Sequence, residues 1–432
     1  MKTALVWFTT DLRLHDNEAL IRAIEDNDQI IPIYCFDNKH YVTTPYGFKK
    51  TGAIRTQFVL QALKDLDNNL RQIGSGLITV EGNTPDELYK LAVKYNAIKI
   101  YAKKEIADEE LQVQKAVTEK VASLNCELEV FDTSSLFDVA DLPFSIQEIP
   151  DVFTDFRKKV EQLSKVRLPY AKPNAISSPA IPHLYLPDLA HLGFHPVTPD
   201  TRAAIDFYGG ESSAVARVHY YFEESKKVST YKETRNQLLG ADYSTKFSAW
   251  LALGCLSPRY IYQALKQYEQ MHEANESTYW VVFELLWRDY FRLMLMKFGT
   301  KFFLKNGING KYDRVGTHNN KKLMSWVNGE TGVDFVDANM LELKLTGFMS
   351  NRGRQNVASF LCNDLKLDWR YGAAYFEQQL IDYDVCSNWG NWAYIAGVGN
   401  DPRPNRYFNI QKQAAQYDAD KQFRKLWCRS YD

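Results

Sequence analysis

The chain has 432 residues, 45% of them hydrophobic, with 52 basic against 53 acidic side chains and a formal net charge of −1. That length has room for more than one core, and the near-neutral balance gives no global signature of a nucleic-acid binder, although a local basic patch would suffice. No apolar run approaches the roughly 18 residues that span a bilayer, so no membrane association is expected.

The first strand-like run, Ala4 to Phe8, starts almost at the initial Met with no basic or apolar leader, which points to the cytoplasm rather than secretion or organelle import. Further β-rich runs follow at Ile30–Phe36, Leu77–Val80, Ile98–Tyr101 and Glu127–Phe131. Amphipathic segments such as Ala53–Ile73 and Asp86–Lys94 separate them. Strands alternating with helices predict a doubly wound parallel sheet, an α/β domain over residues 1–132. No GxGxxG follows the first strand, so a ligand there is held by other means than the usual dinucleotide fingerprint.

Nine of the fifteen prolines lie between Pro143 and Pro199. With little sustained periodicity, residues 133–201 read as a long connector over the surface. From about Arg202 the pattern turns helical throughout, and eight of the nine Trp residues lie beyond Ala249, so residues 202–432 are expected to form a large all-α domain. The six cysteines (Cys35, Cys126, Cys255, Cys362, Cys386, Cys428) are scattered without a CxxC pair, which suits reduced thiols and no metal site.

Five groups in the helical half invite chemistry. Ser244, Thr245 and Ser248 precede an apolar helix, where hydroxyls and free N–H groups attract phosphate; a plain N-cap is the alternative. Trp280, Glu284, Trp287 and Phe291 recur at helical spacing, so Glu284 lies between two indoles. There it is either a desolvated, proton-donating acid or the partner of a buried Arg. Asn351, Arg354, Gln355 and Ala358 share a third face; Arg354 in an interior segment needs an anion, and Asp382 or Asp384 are the natural partners. Trp369, Trp389 and Trp392 either pack or relay electrons. Arg352, Arg403 and Arg406, the last two in GNDPRPNRYFN, suit phosphate-backbone contact, or else a solvated loop. The last His is His318, so residues 346–409 offer no histidine for general catalysis.

These motifs, in order and over essentially the whole length, resemble the photolyase/cryptochrome flavoproteins and specifically their cryptochrome DASH branch. The segments are VWFTTDLRLHDNEAL, YGFKKTGAIRTQF, STKFSAWLALGCLSPR, ELLWRDYFR, FVDANMLELKLTGFMSNRGRQNVASFL, DYDVCSNWGNW and GNDPRPNRYFN. SNRGRQN and Tyr394 favour that branch over classical dimer photolyases. The absence of histidine argues against the branch that uses active-site histidines.

The resemblance implies a U-shaped FAD in the helical domain. Tyr231, Ser244, Thr245, Lys246, Phe247 and Ser248 would hold its phosphates and ribityl chain. Arg288, Asn351, Arg354, Asp382 and Asp384 would line flavin and adenine, with Asn388 at the flavin N5 edge. The implied reaction is light-driven opening of cyclobutane pyrimidine dimers by an electron from excited reduced FAD. No protein nucleophile is needed.

Glu284 would hydrogen-bond the dimer, with Trp287 and Tyr394 flanking it and Gln355 close by. Tyr394 and Gln355, polar where relatives carry Trp and Met, imply a preference for single-stranded DNA, where base flipping costs less. Glu105 would bind a 5,10-methenyltetrahydrofolate antenna; an exposed Glu opening a helix is the plainer reading. Trp392 and Trp369 match the proximal and middle members of the photoreduction chain. The outer Trp falls near Gly316, leaving Tyr312, Trp326 or Tyr371 as substitutes and slower flavin photoreduction as the expectation.

A monomer is expected. The competing function is a blue-light receptor without repair; such members usually carry long C-terminal extensions, whereas this chain stops soon after its last motif.

Overall fold

A computed structural model describes residues 1–310, 316–403 and 406–428. Five strands, β1 (Thr3–Phe8), β2 (Gln29–Asp37), β3 (Ile78–Gly82), β4 (Lys99–Lys103) and β5 (Glu127–Phe131), form one sheet in the order β3-β2-β1-β4-β5. All pairings are parallel; Ala4 of β1 sits opposite Ile30 on one side and Lys99 on the other.

Side chains of β1 alternate between two cores, as the pleat requires. Leu5 and Trp7 join Ile31, Ile33, Leu88 and Val117, beneath the helices Thr84–Tyr95 and Asp108–Val121. Ala4, Val6 and Phe8 face the other way, against Leu20, Phe58 and Leu63 of the helices Glu18–Asp26 and Ala53–Arg71. That second core runs without a break into the aromatic interior of the helical half. The chain winds outward from β1 in both directions, so a crevice opens at the carboxyl ends of β1 and β4, where α/β sheets receive ligands.

Between β5 and the helical half the structure holds more order than the proline pattern suggested. The helix Phe153–Leu163 buries Phe153, Phe156 and Val160. Its spacing of three and four residues is a helical stripe, too short to stand out among flanking prolines. Phe153 stacks on Trp287 with ring centroids 3.7 Å apart and planes 12° apart, so this stretch supports the helical core directly.

The two halves are joined by buried polar contacts. Arg13 donates to the carbonyls of His15 (3.0 Å), Gly254 (2.8 Å), Asp16 (2.8 Å) and Thr133 (2.5 Å). Glu211 accepts from the backbone N–H of Leu14 (2.8 Å) and His15 (3.1 Å). Asp289 accepts from the N–H groups of Leu136 and Phe137. Gly254 has φ +65°, and a Cβ there would lie 2.1 Å from the Thr10 carbonyl oxygen, so no other residue fits where the halves meet. No helix among the described residues is long and apolar enough to cross a membrane.

Candidate cofactor and substrate site

The helical half encloses a cavity of about 1140 Å³, counting its open mouth. Five elements supply its walls. The loop Ser244–Phe247 closes one end, with Tyr231 beside it; the helix Glu276–Phe298 brings Glu284 and Arg288. Asn351 and Arg354 come from the helix Asn351–Ser359, and Asp382 and Asp384 precede the helix Val385–Ile395. A second lobe, sharing Asn351, Arg354 and Asp382 with the first, adds Gln355, Ala358, Asn388 and Trp392. Every residue expected to touch a cofactor thus lies on one continuous space.

The apolar helix expected after Ser244 is shorter than the pattern implied. It covers only Ser248–Ala252, and a new helix, Pro258–Met271, starts at the Ser257 cap. One turn carries little dipole, so anion affinity at this end arises from converging groups instead. Arg217 shapes the loop by donating to the carbonyls of Ala241 (3.0 Å), Ser244 (3.3 Å) and Thr245 (3.1 Å). Lys246 stands in the left-handed region at φ 62° and is buried.

Arg354 selects Asp382 as its partner, Nη2 to Oδ2 at 2.8 Å, while its Nε donates to the Met349 carbonyl at 2.9 Å. Asp384 does other work: it caps the helix Val385–Ile395 by accepting from the Ser387 N–H at 2.7 Å. Burial opposes its charge, but Arg288, Arg292 and the Ser387 contacts outweigh that and hold its carboxyl below the usual range. The Asn388 amide is oriented by donation to the Ala373 carbonyl at 3.0 Å.

Glu284 has an arginine partner, as one of its two readings expected. Arg235 donates to it, and burial nonetheless raises its pKa above the ordinary carboxylate value, with Arg235 opposing. Trp287 meets Tyr394 edge-on at 5.8 Å and 81°, and the Arg406 guanidinium covers the Tyr394 ring at 4.5 Å. Gln355 accepts from Arg352 at 2.9 Å.

The three arginines grouped for backbone contact differ. Arg403 has a side chain 61% exposed; Arg406, at 17%, shares Asp401 with it. Arg352 is held by Gln355, Asn236 and the Tyr417 ring.

Trp369 packs edge-on against Trp389 at 5.7 Å, and Trp392 against Phe376 at 5.0 Å and Trp326 at 6.1 Å. A Cβ on Gly316 would lie 2.1 Å from the Leu367 carbonyl oxygen, so the backbone itself forbids a side chain at the outer position. Of the three substitutes, Trp326 is completely buried, Tyr371 is half-buried against His318 and Tyr46, and Tyr312 lies outside the described residues.

Glu105 is not an exposed helix-opening residue. It precedes the helix Asp108–Val121, pairs with Lys103 at 3.0 Å and accepts from the Thr9 hydroxyl at 2.9 Å. It lines a second cavity, of about 960 Å³, at the carboxyl ends of β1, β2 and β4. Asp384 and Ala252 line both cavities, which therefore stand back to back.

Three contributors escaped the sequence reading: Arg235, Arg217 and Arg292. Arg292 follows Arg288 by one helical turn in WRDYFR, a signal that was available. Arg235 and Arg217 reach their partners through tertiary contacts that no local pattern carries.

A polar, anionic ligand suits the first cavity. Lys246 Nζ and Asp382 Oδ1 are buried there without a hydrogen bond from the chain, a penalty that a polar guest removes. Diphosphate oxygens and the polar rim of a flavin ring match these donors and acceptors.

Comparison with known proteins agrees. Residues 4–175 match the family described as DNA photolyase, and residues 280–431 the FAD binding domain of DNA photolyase. The chain is 46% identical to cryptochrome DASH from Gloeobacter violaceus over 99% of its own length and 85% of the relative's. It is 48% identical to cryptochrome DASH from Xenopus laevis, covering 96% and 80% of the two chains. A Synechocystis cryptochrome crystal structure superposes with a TM-score of 0.95 at 46% identity, covering 99% of this chain and 88% of that one. A class III photolyase from Agrobacterium tumefaciens gives a TM-score of 0.85 at 26% identity, over 99% and 86%. With a parallel-sheet domain, a helical FAD-binding domain and full-length likeness to these relatives, the chain belongs to the photolyase/cryptochrome family, in its cryptochrome DASH branch.

Proposed function

We propose that this chain uses blue light and FAD to open cyclobutane pyrimidine dimers in DNA, chiefly in single strands. The observation that carries the reading is the continuity of the two lobes: Glu284 and Gln355 line the same space as the residues fitted to the flavin. Trp287, one turn beyond Glu284, meets Tyr394 edge-on, although neither ring lines the two lobes. When bound, FAD supplies the photoexcited electron that splits the dimer.

The chain's own part is to hold, orient and exclude water. Tyr231, Ser244, Thr245, Lys246, Phe247 and Ser248 are assigned to the diphosphate and ribityl chain; Arg288, Asn351, Arg354, Asp382 and Asp384 to the ring rims; Asn388 to the flavin N5 edge. Glu284, whose carboxyl pKa burial raises above its ordinary value against the pull of Arg235, is assigned the hydrogen bond to the dimer. Trp287 and Tyr394 flank the flipped bases, while Arg403, Arg406 and Arg352 guide the backbone. Trp392 and Trp369 carry electrons inward to reduce the cofactor. The second cavity, with Glu105, suits a methenyltetrahydrofolate antenna, and the shared Asp384 wall keeps the two chromophores close.

The test is direct. Reduced protein is illuminated with a dimer-containing oligonucleotide, and restored thymines are counted. Glu284→Ala is expected to weaken dimer binding by about 1.5–3 kcal/mol, roughly ten- to a hundredfold. Wild-type repair is expected to run faster on single strands than on intact duplex, because extraction from a stack costs a few kcal/mol. Equal rates would remove the strand preference. Absence of repair by a protein with intact flavin photochemistry would favour a light receptor instead.

A further inference from the structure

Four cations line the first cavity, and three are committed to the chain. Arg235 holds Glu284, Arg288 donates to the Ser134 carbonyl, and Arg354 holds Asp382. Lys246 alone among them has no acceptor: its ammonium nitrogen is buried, unpartnered, and lies 3.1 Å from the Tyr243 ring centroid. Glu342, on the helix Asp334–Thr346, is 3% exposed, acts on the charge of Lys246, and its Oε2 also lacks a partner. A lysine and a glutamate have therefore been buried together without closing an ion pair.

We infer that Lys246, backed by Glu342, links cofactor retention to a proton: the pair takes up one proton when a diphosphate enters the cavity and releases it when the diphosphate leaves. This rests on the reading of the cavity as the FAD site. Without an anion the two groups share a single proton and are neutral as a unit, since burial disfavours a net charge. A diphosphate nearby makes the doubly protonated state, ammonium plus carboxylic acid, the favourable one. Binding then adds a proton to the protein while no covalent bond changes.

The surroundings support this balance. Burial lowers the Lys246 pKa well below its ordinary value; Glu342 and Asp242 oppose that, while Arg217 and Arg354 reinforce it. Burial pushes Glu342 up to about 8 against the pull of Lys246, Arg354 and the Ser350 N–H. Asp242 is already taken, by Arg217 at 3.0 Å and the Tyr220 hydroxyl at 3.0 Å, and Tyr243 stays neutral because burial raises it. No group facing Lys246 from its own loop or the packed helices is left to supply the missing charge. The diphosphate supplies it.

The sign follows from linkage: a complex that holds one more proton than its parts weakens tenfold for each unit of rising pH. Full-length protein is dialysed to equilibrium against FAD from about pH 6.5 to about pH 8.5, and bound and free flavin are measured by absorbance. The bound-to-free ratio is expected to fall toward tenfold per unit. Lys246→Met is expected to bind more weakly at the acid end and to show a flat profile. Calorimetry of wild type in buffers of different ionisation enthalpy counts the proton directly and needs no variant. A flat wild-type profile with firm FAD binding, or a Lys246→Met slope equal to wild type, overturns the inference and leaves the FAD site standing. Failure of FAD to bind at any pH removes both.

Discussion

Asp382→Ala is expected to yield a colourless protein. The carboxylate is almost fully enclosed, its Oδ2 2.8 Å from Arg354, and Arg354 has no second acid in contact to turn to, since Asp384 is engaged by Ser387 and by the field of Arg288 and Arg292. Removing Asp382 leaves Arg354, a quarter exposed and lining the cavity, without its carboxylate, which destabilises by about 1–3 kcal/mol. The same change removes Asp382 Oδ1, the orphaned acceptor facing the cavity. Cofactor retention and fold stability should therefore fall together, read as flavin absorbance after gel filtration and as a lower urea midpoint. Asp382→Asn separates the two effects. It keeps an acceptor for Arg354 and most of the volume, so it is expected to recover part of the stability while still retaining FAD poorly. Full flavin occupancy in Asp382→Ala would show that the ring is held elsewhere.

How far the sequence reveals such a site depends on the range of each interaction. The five strands were visible because short β-rich runs need only local information, and the sheet's parallel winding followed from the helices between them. The face formed by Asn351, Arg354, Gln355 and Ala358 was visible for the same reason, because helical spacing alone places them together. Arg354's need for an anion could be argued from burial, but the choice of Asp382 over Asp384 could not. That choice turns on which carboxylate caps the next helix. The Ser244 segment reads as preceding an apolar helix; its apolar run continues through Leu256, but the helix stops at Ala252 and Gly254 takes a positive φ. Glu342 passed unnoticed. Two acids, Asp337 and Glu342, among FVDANMLELKLT look like a solvated helix face until the burial of both is known. Gly316 carried the opposite lesson: its missing side chain was plain in the sequence, and the Leu367 carbonyl supplies the physical reason.

The largest loss of stability is expected from Asp16→Ala, far from the cavity. Asp16 is fully buried at φ 47° and gathers contacts from three parts of the chain. Its carboxylate pairs with Arg259 at 2.8 Å, accepts from the Tyr170 N–H at 3.1 Å and from the Ser257 hydroxyl, while its carbonyl accepts from Arg13. Alanine would strand the Arg259 guanidinium beside a second buried guanidinium, Arg13, at about 3–5 kcal/mol, and alanine tolerates the left-handed backbone less well than the aspartate it replaces. Asparagine tolerates that backbone and keeps an acceptor, so Asp16→Asn isolates the charge. Urea denaturation should place Asp16→Ala well below Asp16→Asn, and Asp16→Asn below wild type. Because Arg13, Asp16, Glu211 and Arg259 tie the sheet domain to the helical half, the loss should also loosen the joint against which both cavities are built. Limited proteolysis would then cut between β5 and the helical half before the rest of the chain unfolds. If Asp16→Ala melts within about 1 kcal/mol of wild type, the joint is held by apolar contact and the polar network is incidental.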